Sequence, residues 1–274
     1  MNPNKNNLFY IQRDLHSKYF KLISNFDRVE QGKFIEDNQE LTKIGNEMFD
    51  SFFQYKSIQK ISLFVDICAA PGNYSKLLQK RFTDSYGIGI SLPVEKGGVK
   101  FEIDSKKYKM FMVDILEKDY KIQVPKKIDF GMASCVSYVH DKKNAAKLNI
   151  LLILTSLNLI LKNLKKDGYL IINLTFKNIN LLYNILEILI FYFKDFHLWK
   201  SSKVWGTKNS FYFFGYGFKD NYDDKLNKIR EDVNSDKNKF SEKFYGNKDT
   251  YFIITKKLNR VFITKINSIL NILS

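Results

Sequence analysis

Residues 61–79, ISLFVDICAAPGNYSKLLQ, set an aspartate at the end of an apolar run, follow it with a turn of small residues and lead into an amphipathic stretch. This pattern predicts a strand, a tight loop and a helix N-terminus. The chemistry it suits is the binding of an anionic, adenosine-bearing ligand. Ala69, Ala70 and Gly72 would let such a ligand approach the backbone, and the first N–H groups of a helix have no partner within it. Asp66 would stand at the carboxyl end of its strand, the edge where open α/β sheets bind ligands. A GxGxxG fingerprint is absent and Pro71 occupies the turn, so the pattern alone does not specify a dinucleotide.

The elements that would position this junction follow from hydrophobic spacing. Strands are expected at 61–66, 85–91, 109–115 and 127–134, and helices at 73–82 and 141–164. Asp167-Gly168 reads as the end of that long helix, followed by a continuous apolar strand at 169–176 of the kind buried on both faces. A helix at 178–193 and strands in FHLWKSS and NSFYFFGYGF complete the sheet. This alternation predicts an α/β fold, a Rossmann-like doubly wound and mostly parallel sheet of seven strands with helical extensions at both ends. Three segments are expected: an N-terminal helical extension, 1–55, the α/β domain, 56–218, and a basic C-terminal extension, 219–274. In the last, only 257–273 shows helical spacing, and it would either pack back on the domain or bind a partner. The apolar runs 148–161 and 179–193 are interrupted by Asn and Glu and read as buried helices, too short to span a bilayer.

Composition bounds the function classes. Hydrophobic content of 45 % and aromatic content of 15 % exclude wholesale disorder. Lys+Arg 44 against Asp+Glu 29 leaves a formal charge of +15, which favours polyanions such as nucleic acid. An Asn- and Lys-rich bias accounts for the charge equally well. Cys68 and Cys135 are the two cysteines, and they form no spaced framework. They read as small buried hydrophobes rather than as a disulfide or zinc site. The opening MNPNKNNLFY lacks the features of a secretory signal, so a reducing cytoplasmic or nuclear setting is expected.

The order of these elements and the CAAPG turn resemble the FtsJ/RrmJ-type S-adenosylmethionine-dependent RNA 2′-O-ribose methyltransferases, which include cap-modifying enzymes. The resemblance covers roughly residues 40–218. It implies S-adenosyl-L-methionine as cofactor, wrapped at its methionine end by Asp66, Cys68, Ala69, Ala70, Pro71, Gly72, Asn73 and Ser75. Asn73 replaces the family's second glycine. The next cofactor motif falls on Gly87, Gly89 and Ser91, where the usual ribose-binding acid is missing. Asp114 matches the family's carboxylate beside the adenine, where it would accept the exocyclic amine. Read without the family, Asp114 serves equally well as a capping carboxylate.

Catalysis in that family depends on a Lys-Asp-Lys-Glu tetrad whose second lysine takes the ribose proton. Lys43 fits the first position. The other three fall on Ser134, Asn173 and Ser210, which hydrogen-bond but supply no evident base. Asp129, His140, Asp141, Lys177 and Lys208 are read near the same edge as displaced candidates, each also explicable as a surface charge. Cytosine-5 methylation, whose family shares the turn, is disfavoured because Leu174-Thr175 stands where its nucleophilic cysteine belongs. Lys203, Trp205 and Lys208 are the expected RNA contacts, while Phe211 and Phe213 read as sheet core. The expected function is therefore an RNA 2′-O-methyltransferase-like protein acting on cap or structured RNA. The alternative is a catalytically inactive subunit that binds RNA or a protein partner in a capping or RNA-modifying complex.

Overall fold

A computed structural model describes residues 38–117, 122–135, 142–175, 179–203, 209–223, 225–235 and 246–273. Helix α1, Asn38–Tyr55, precedes strand β1, Leu63–Ile67, helix α2, Asn73–Arg81, and strand β2, Tyr86–Ser91. Strands β3, Tyr108–Met112, and β4, Ile128–Ala133, lead to α3, Lys142–Leu161, and β5, Leu164–Thr175. Then come α4, Ile179–Tyr192, β6, Phe193–Trp199, and β7, Ser210–Phe218, with α5, Lys225–Asn234, and α6, Lys248–Leu273, closing the chain.

The seven strands form one sheet in the order β3-β2-β1-β4-β5-β7-β6. Pairing is parallel from β3 through β5, and β7 runs antiparallel between β5 and β6. The apolar strands are sealed on both faces, as parallel sheets require. Alternation within each strand divides the core. Val65, Ile67, Leu170 and Ile172 face a layer formed by α3, α4, α5 and α6. Phe64, Phe130, Met132, Ile171 and Phe214 face α1 and α2. Phe52 of α1 sits at the centre of the second layer, its ring 4.7 Å from Tyr216, 5.1 Å from Phe214 and 5.6 Å from Phe130. Phe211 and Phe213 are fully buried, as expected of sheet core.

Three expectations are corrected. The long helix ends at Leu161, and Asp167-Gly168 lies inside β5 at a register shift, with Asp167 in the left-handed region at φ 64°. An Asp-Gly pair suits a strand irregularity as well as a helix end. The polar run after 219 contains α5, because Leu226, Ile229 and Val233 recur at helical spacing and bury one narrow face. Cys68 and Cys135 form a disulfide. Parallel pairing of β1 with β4 sets Ile67 beside Ala133, so the residues just past the two strand ends are brought together despite 67 positions of separation.

The C-terminal helix packs back on the domain. Ile254, Leu258, Val261 and Phe262 are buried, and Tyr183 of α4 stacks on Tyr251 and hydrogen-bonds Thr255. Lys257 donates to the Phe196 carbonyl at the β6 edge. Among the described residues no helix is long and apolar enough to cross a membrane. The apolar spacing read at 8–22 lies outside the described residues.

Candidate functional site

Strand order reverses at β1, whose neighbours β2 and β4 lead outward in opposite directions, and this opens a crevice at the carboxyl ends of β1 and β4. The loop leaving β1 is pinned to the end of β2. Cys68 and Ala69 donate their N–H groups to the Ile90 carbonyl at 2.7 and 3.1 Å, and Ala70 donates to Ser91 Oγ at 3.4 Å. The Ala70–Pro71 peptide is cis. Gly72, at φ 108° and ψ 8°, turns the chain into α2, a conformation that strains any residue with a Cβ. Gly72 offers no side chain to cap this helix, whose N-terminus carries the positive end of its dipole. Over the turn lie Phe101 and Ile103, and Glu102 N–H donates to the Pro71 carbonyl.

Asp66 is 1 % exposed and accepts a hydrogen bond from Ser75 Oγ at 2.7 Å, tying the strand end to the first turn of α2. Burial raises its carboxyl from the ordinary 3.8 to about 7, against the opposing pull of the Ser75 bond. The same Ser75 hydroxyl lies 2.7 Å from the Tyr108 hydroxyl, which stands over Gly89. Ser91 is used by the loop it pins. Asp114 lies two residues past β3, where it accepts the Leu116 N–H at 2.9 Å and so caps a turn.

The tetrad positions converge on the same edge. Register sets Ala133 beside Ile172, which places Ser134 level with Asn173, and Asn173 is opposite Tyr212. Ser210 opens β7 two residues before Tyr212. Lys43 is exposed on α1, next to Thr42, whose hydroxyl holds Asn73 at 3.0 Å and so joins α1 to the mouth of the crevice. Lys203 is exposed just after β6. Trp205, Lys208, His140, Asp141 and Lys177 lie outside the described residues. Asp129 is not at this edge. It sits at the amino end of β4, accepting the N–H groups of Ser62 and Leu63 at 2.6 and 2.8 Å and pairing with Lys165.

Two sets of residues escaped the sequence reading. Tyr74 hydrogen-bonds Tyr212, at 3.1 Å between hydroxyls, with Ser134 beside it. Burial, more than its neighbours, raises the Tyr74 hydroxyl well above its ordinary value, so it stays protonated at neutral pH. Its only sequence signal is the aromatic position after Asn73. Beside Ser210, buried Lys200 donates to the Ser210 carbonyl at 2.8 Å, and Ser201 donates to Glu47 of α1 at 2.5 Å. Glu47 is four residues from Lys43 and shares its helix face, a spacing visible in the sequence but without meaning until β6 is placed.

A doubly wound sheet whose last strand is inserted antiparallel, with a small-residue loop and an uncapped helix at its switch point, defines a Rossmann-like methyltransferase fold. The match to the FtsJ-like methyltransferase model spans residues 46–218, well over half of the chain, and the chain belongs to that family. Among solved structures it is similar to a Plasmodium falciparum protein named as a ribosomal RNA methyltransferase, with 16 % identity over 64 % of this chain and 96 % of that one at a TM-score of 0.48. It is similar also to a chain of a fibrillarin/Nop5p complex, at 10 % identity over 57 % of this chain and 73 % of that one, TM-score 0.41. A third is an O-methyltransferase family protein from Burkholderia thailandensis, at 11 % identity over 77 % of this chain and 71 % of that one, TM-score 0.39. No curated protein matches the chain.

Proposed function

We propose that the chain binds S-adenosylmethionine at the carboxyl ends of β1 and β4 and presents it to RNA, as a ribose 2′-O-methyltransferase-like protein. The observation that carries this reading is the Asp66–Ser75 bond, which locks the strand end to an uncapped helix start through left-handed Gly72. The donor set fits the cofactor. The N–H groups at the start of α2 would hold its carboxylate and Asp66 its ammonium side. When bound, the cofactor supplies a methyl group activated on a sulfonium. Ser134 and Asn173 would hydrogen-bond a ribose at the adjacent strand ends, with Lys43 and Lys203 near its phosphates. Cap and structured RNAs are the substrate classes this reading names.

A second reading, a non-transferring subunit of an RNA-modifying complex, is favoured by one observation. A chain of hydroxyls, Tyr212 bonded to Tyr74 with Ser134 beside it, lies where the resemblance implies charged residues. Such a chain can hold a ribose hydroxyl but cannot take its proton.

Calorimetry with S-adenosylmethionine and S-adenosylhomocysteine tests the cofactor premise, and absence of binding removes it. Incubation with labelled cofactor and capped, uncapped and structured RNAs then separates the readings. Transfer to a ribose, weakened by Lys43→Ala, supports the enzyme. Transfer that survives Lys43→Ala shows that this lysine is not needed, and no transfer despite tight binding supports the subunit.

A further inference from the structure

The lysines of this chain are not spread evenly over the sheet. Four of the five consecutive strands from β3 to β5 are entered through lysine-bearing segments. These are Lys106, Lys107 and Lys109 at β3, Lys60 before β1, Lys126 and Lys127 before β4, and Lys165 and Lys166 at β5. All therefore lie along the amino edge, opposite the crevice. At about 4.8 Å per strand interval, β3 to β5 spans roughly 19 Å. Lys107 is paired with Asp84 and Lys165 with Asp129. Lys60, Lys106, Lys109, Lys126, Lys127 and Lys166 are exposed and have no ion pair among the described residues.

At the β3 end of this row lies a concavity of about 440 Å³ between β1, β2 and β3, lined by Ser62, Lys106, Tyr108 and Lys109 and by Tyr86. Tyr86 is 59 % exposed at the first position of β2, level with Leu63 of β1. Core packing does not explain an aromatic ring here, since neither of the two buried clusters includes it. A single exposed aromatic is ordinary. A ring set into a depression beside the exposed ammonium groups of Lys106 and Lys109, with Lys107 paired to Asp84, is different, because it offers a stacking platform beside phosphate partners.

We propose that the amino edge of the sheet is a second RNA-binding surface, on which Tyr86 stacks an unpaired base while the lysine row follows the backbone of a single strand. Lysine without an aromatic platform would suit a lipid surface or an acidic protein equally. The ring decides for a nucleic acid. The strands separate this edge from the crevice by about 17–20 Å, so it engages RNA flanking a modified nucleotide rather than the nucleotide itself. The inference rests on the RNA part of the proposed function and is independent of cofactor binding.

The test is fluorescence anisotropy with a labelled single-stranded 12-mer RNA on the full chain across a salt series. Tyr86→Ala is expected to weaken binding about tenfold with little change in salt slope, since it removes stacking and no charge. Lys126→Gln with Lys127→Gln is expected to lower the slope of log K against log salt by about 1.4, at about 0.7 per phosphate contact. Both variants alter exposed residues, and unchanged melting temperatures establish that they fold. Unaltered affinity and slope in both would overturn the surface. If Lys203→Gln with Lys208→Gln alone then loses binding, RNA is held at the carboxyl edge and the proposed function stands. A silent Tyr86→Ala, together with lysine-dependent binding to phosphatidylserine vesicles, would overturn the assignment to RNA in favour of a membrane. No RNA binding by the parent chain refutes both RNA readings, while calorimetry still reports on the cofactor site.

Discussion

Asp66→Asn should make the protein more resistant to unfolding as pH rises. The carboxyl titrates at about 7 in the fold, against 3.8 in an unfolded chain, because burial penalises its charge. With a raised folded value, the neutral acid's contribution is fully present below about 3.8 and is lost as pH climbs to about 7, beyond which the loss is constant. At about 1.4 kcal/mol per pH unit, the total loss is about 4 kcal/mol, of which about 3 falls between pH 5 and pH 8. Asparagine keeps the shape and can still accept from Ser75 Oγ, yet never ionises. Urea unfolding of both proteins from pH 5 to pH 8 measures the effect. The stability of Asp66→Asn relative to the parent should rise by about 3 kcal/mol over that span. His197 also titrates nearby, lowered mainly by burial, and makes both proteins gain stability as pH rises toward its ordinary 6.5. That gain cancels in the difference. A difference that is flat with pH would refute the claim that a buried, uncompensated carboxyl underlies the crevice.

Asp129→Asn should cost about 2–3 kcal/mol in chemical denaturation, because a carboxylate serving the N–H groups of Ser62 and Leu63 and paired with Lys165 is replaced by a neutral amide. A change under about 0.5 kcal/mol would show that this carboxylate does not tether the entry of β1. Gly131→Ala should destabilise by about 1–3 kcal/mol, since the added Cβ would sit 2.2 Å from Ile160 Cγ2 where α3 lies on β4. A thermal melt indistinguishable from the parent would mean that α3 shifts without cost.

The fold was legible because its signals are local and repeated. Strands such as FVDI and IDFGMA are apolar but for one aspartate each, and the sequence periods switch between strand and helix in order. The same logic placed Phe211 and Phe213 in the core. It failed where one local signal has two physical meanings. Asp167-Gly168 ends helices and also relieves strands, and nothing between 161 and 168 discriminates until Ile128 is seen paired with Leu164. It failed again where the decisive partner is remote. Cys68 and Cys135 look unrelated along the chain, and only the register of β1 on β4 makes them neighbours. Helix α5 was missed because three apolar residues in ten make a weak stripe, although that stripe is enough to seat a helix on a layer that is already formed.

The crevice divides along the same line. The side formed by the loop after β1 is a contiguous motif, so Asp66, Gly72 and Ser75 could be read together, and the structure brings them together. Its other side is assembled from the ends of β4, β5 and β7, and there a sequence reveals residue types but not how they fill the space. Ser134 and Asn173 look like simple losses of charge. In the fold, Tyr74 reaches from the first turn of α2 to Tyr212, beside Ser134, and so joins the loop after β1 to the ends of β4 and β7. A charged tetrad buried here would need its lysines and carboxylates to compensate one another. A chain of hydroxyls has no such requirement, and it holds the same elements together. These strand ends thus carry a polar contact rather than a void. For that reason Ser134 and Asn173 are better judged with Tyr74 and Tyr212 than singly.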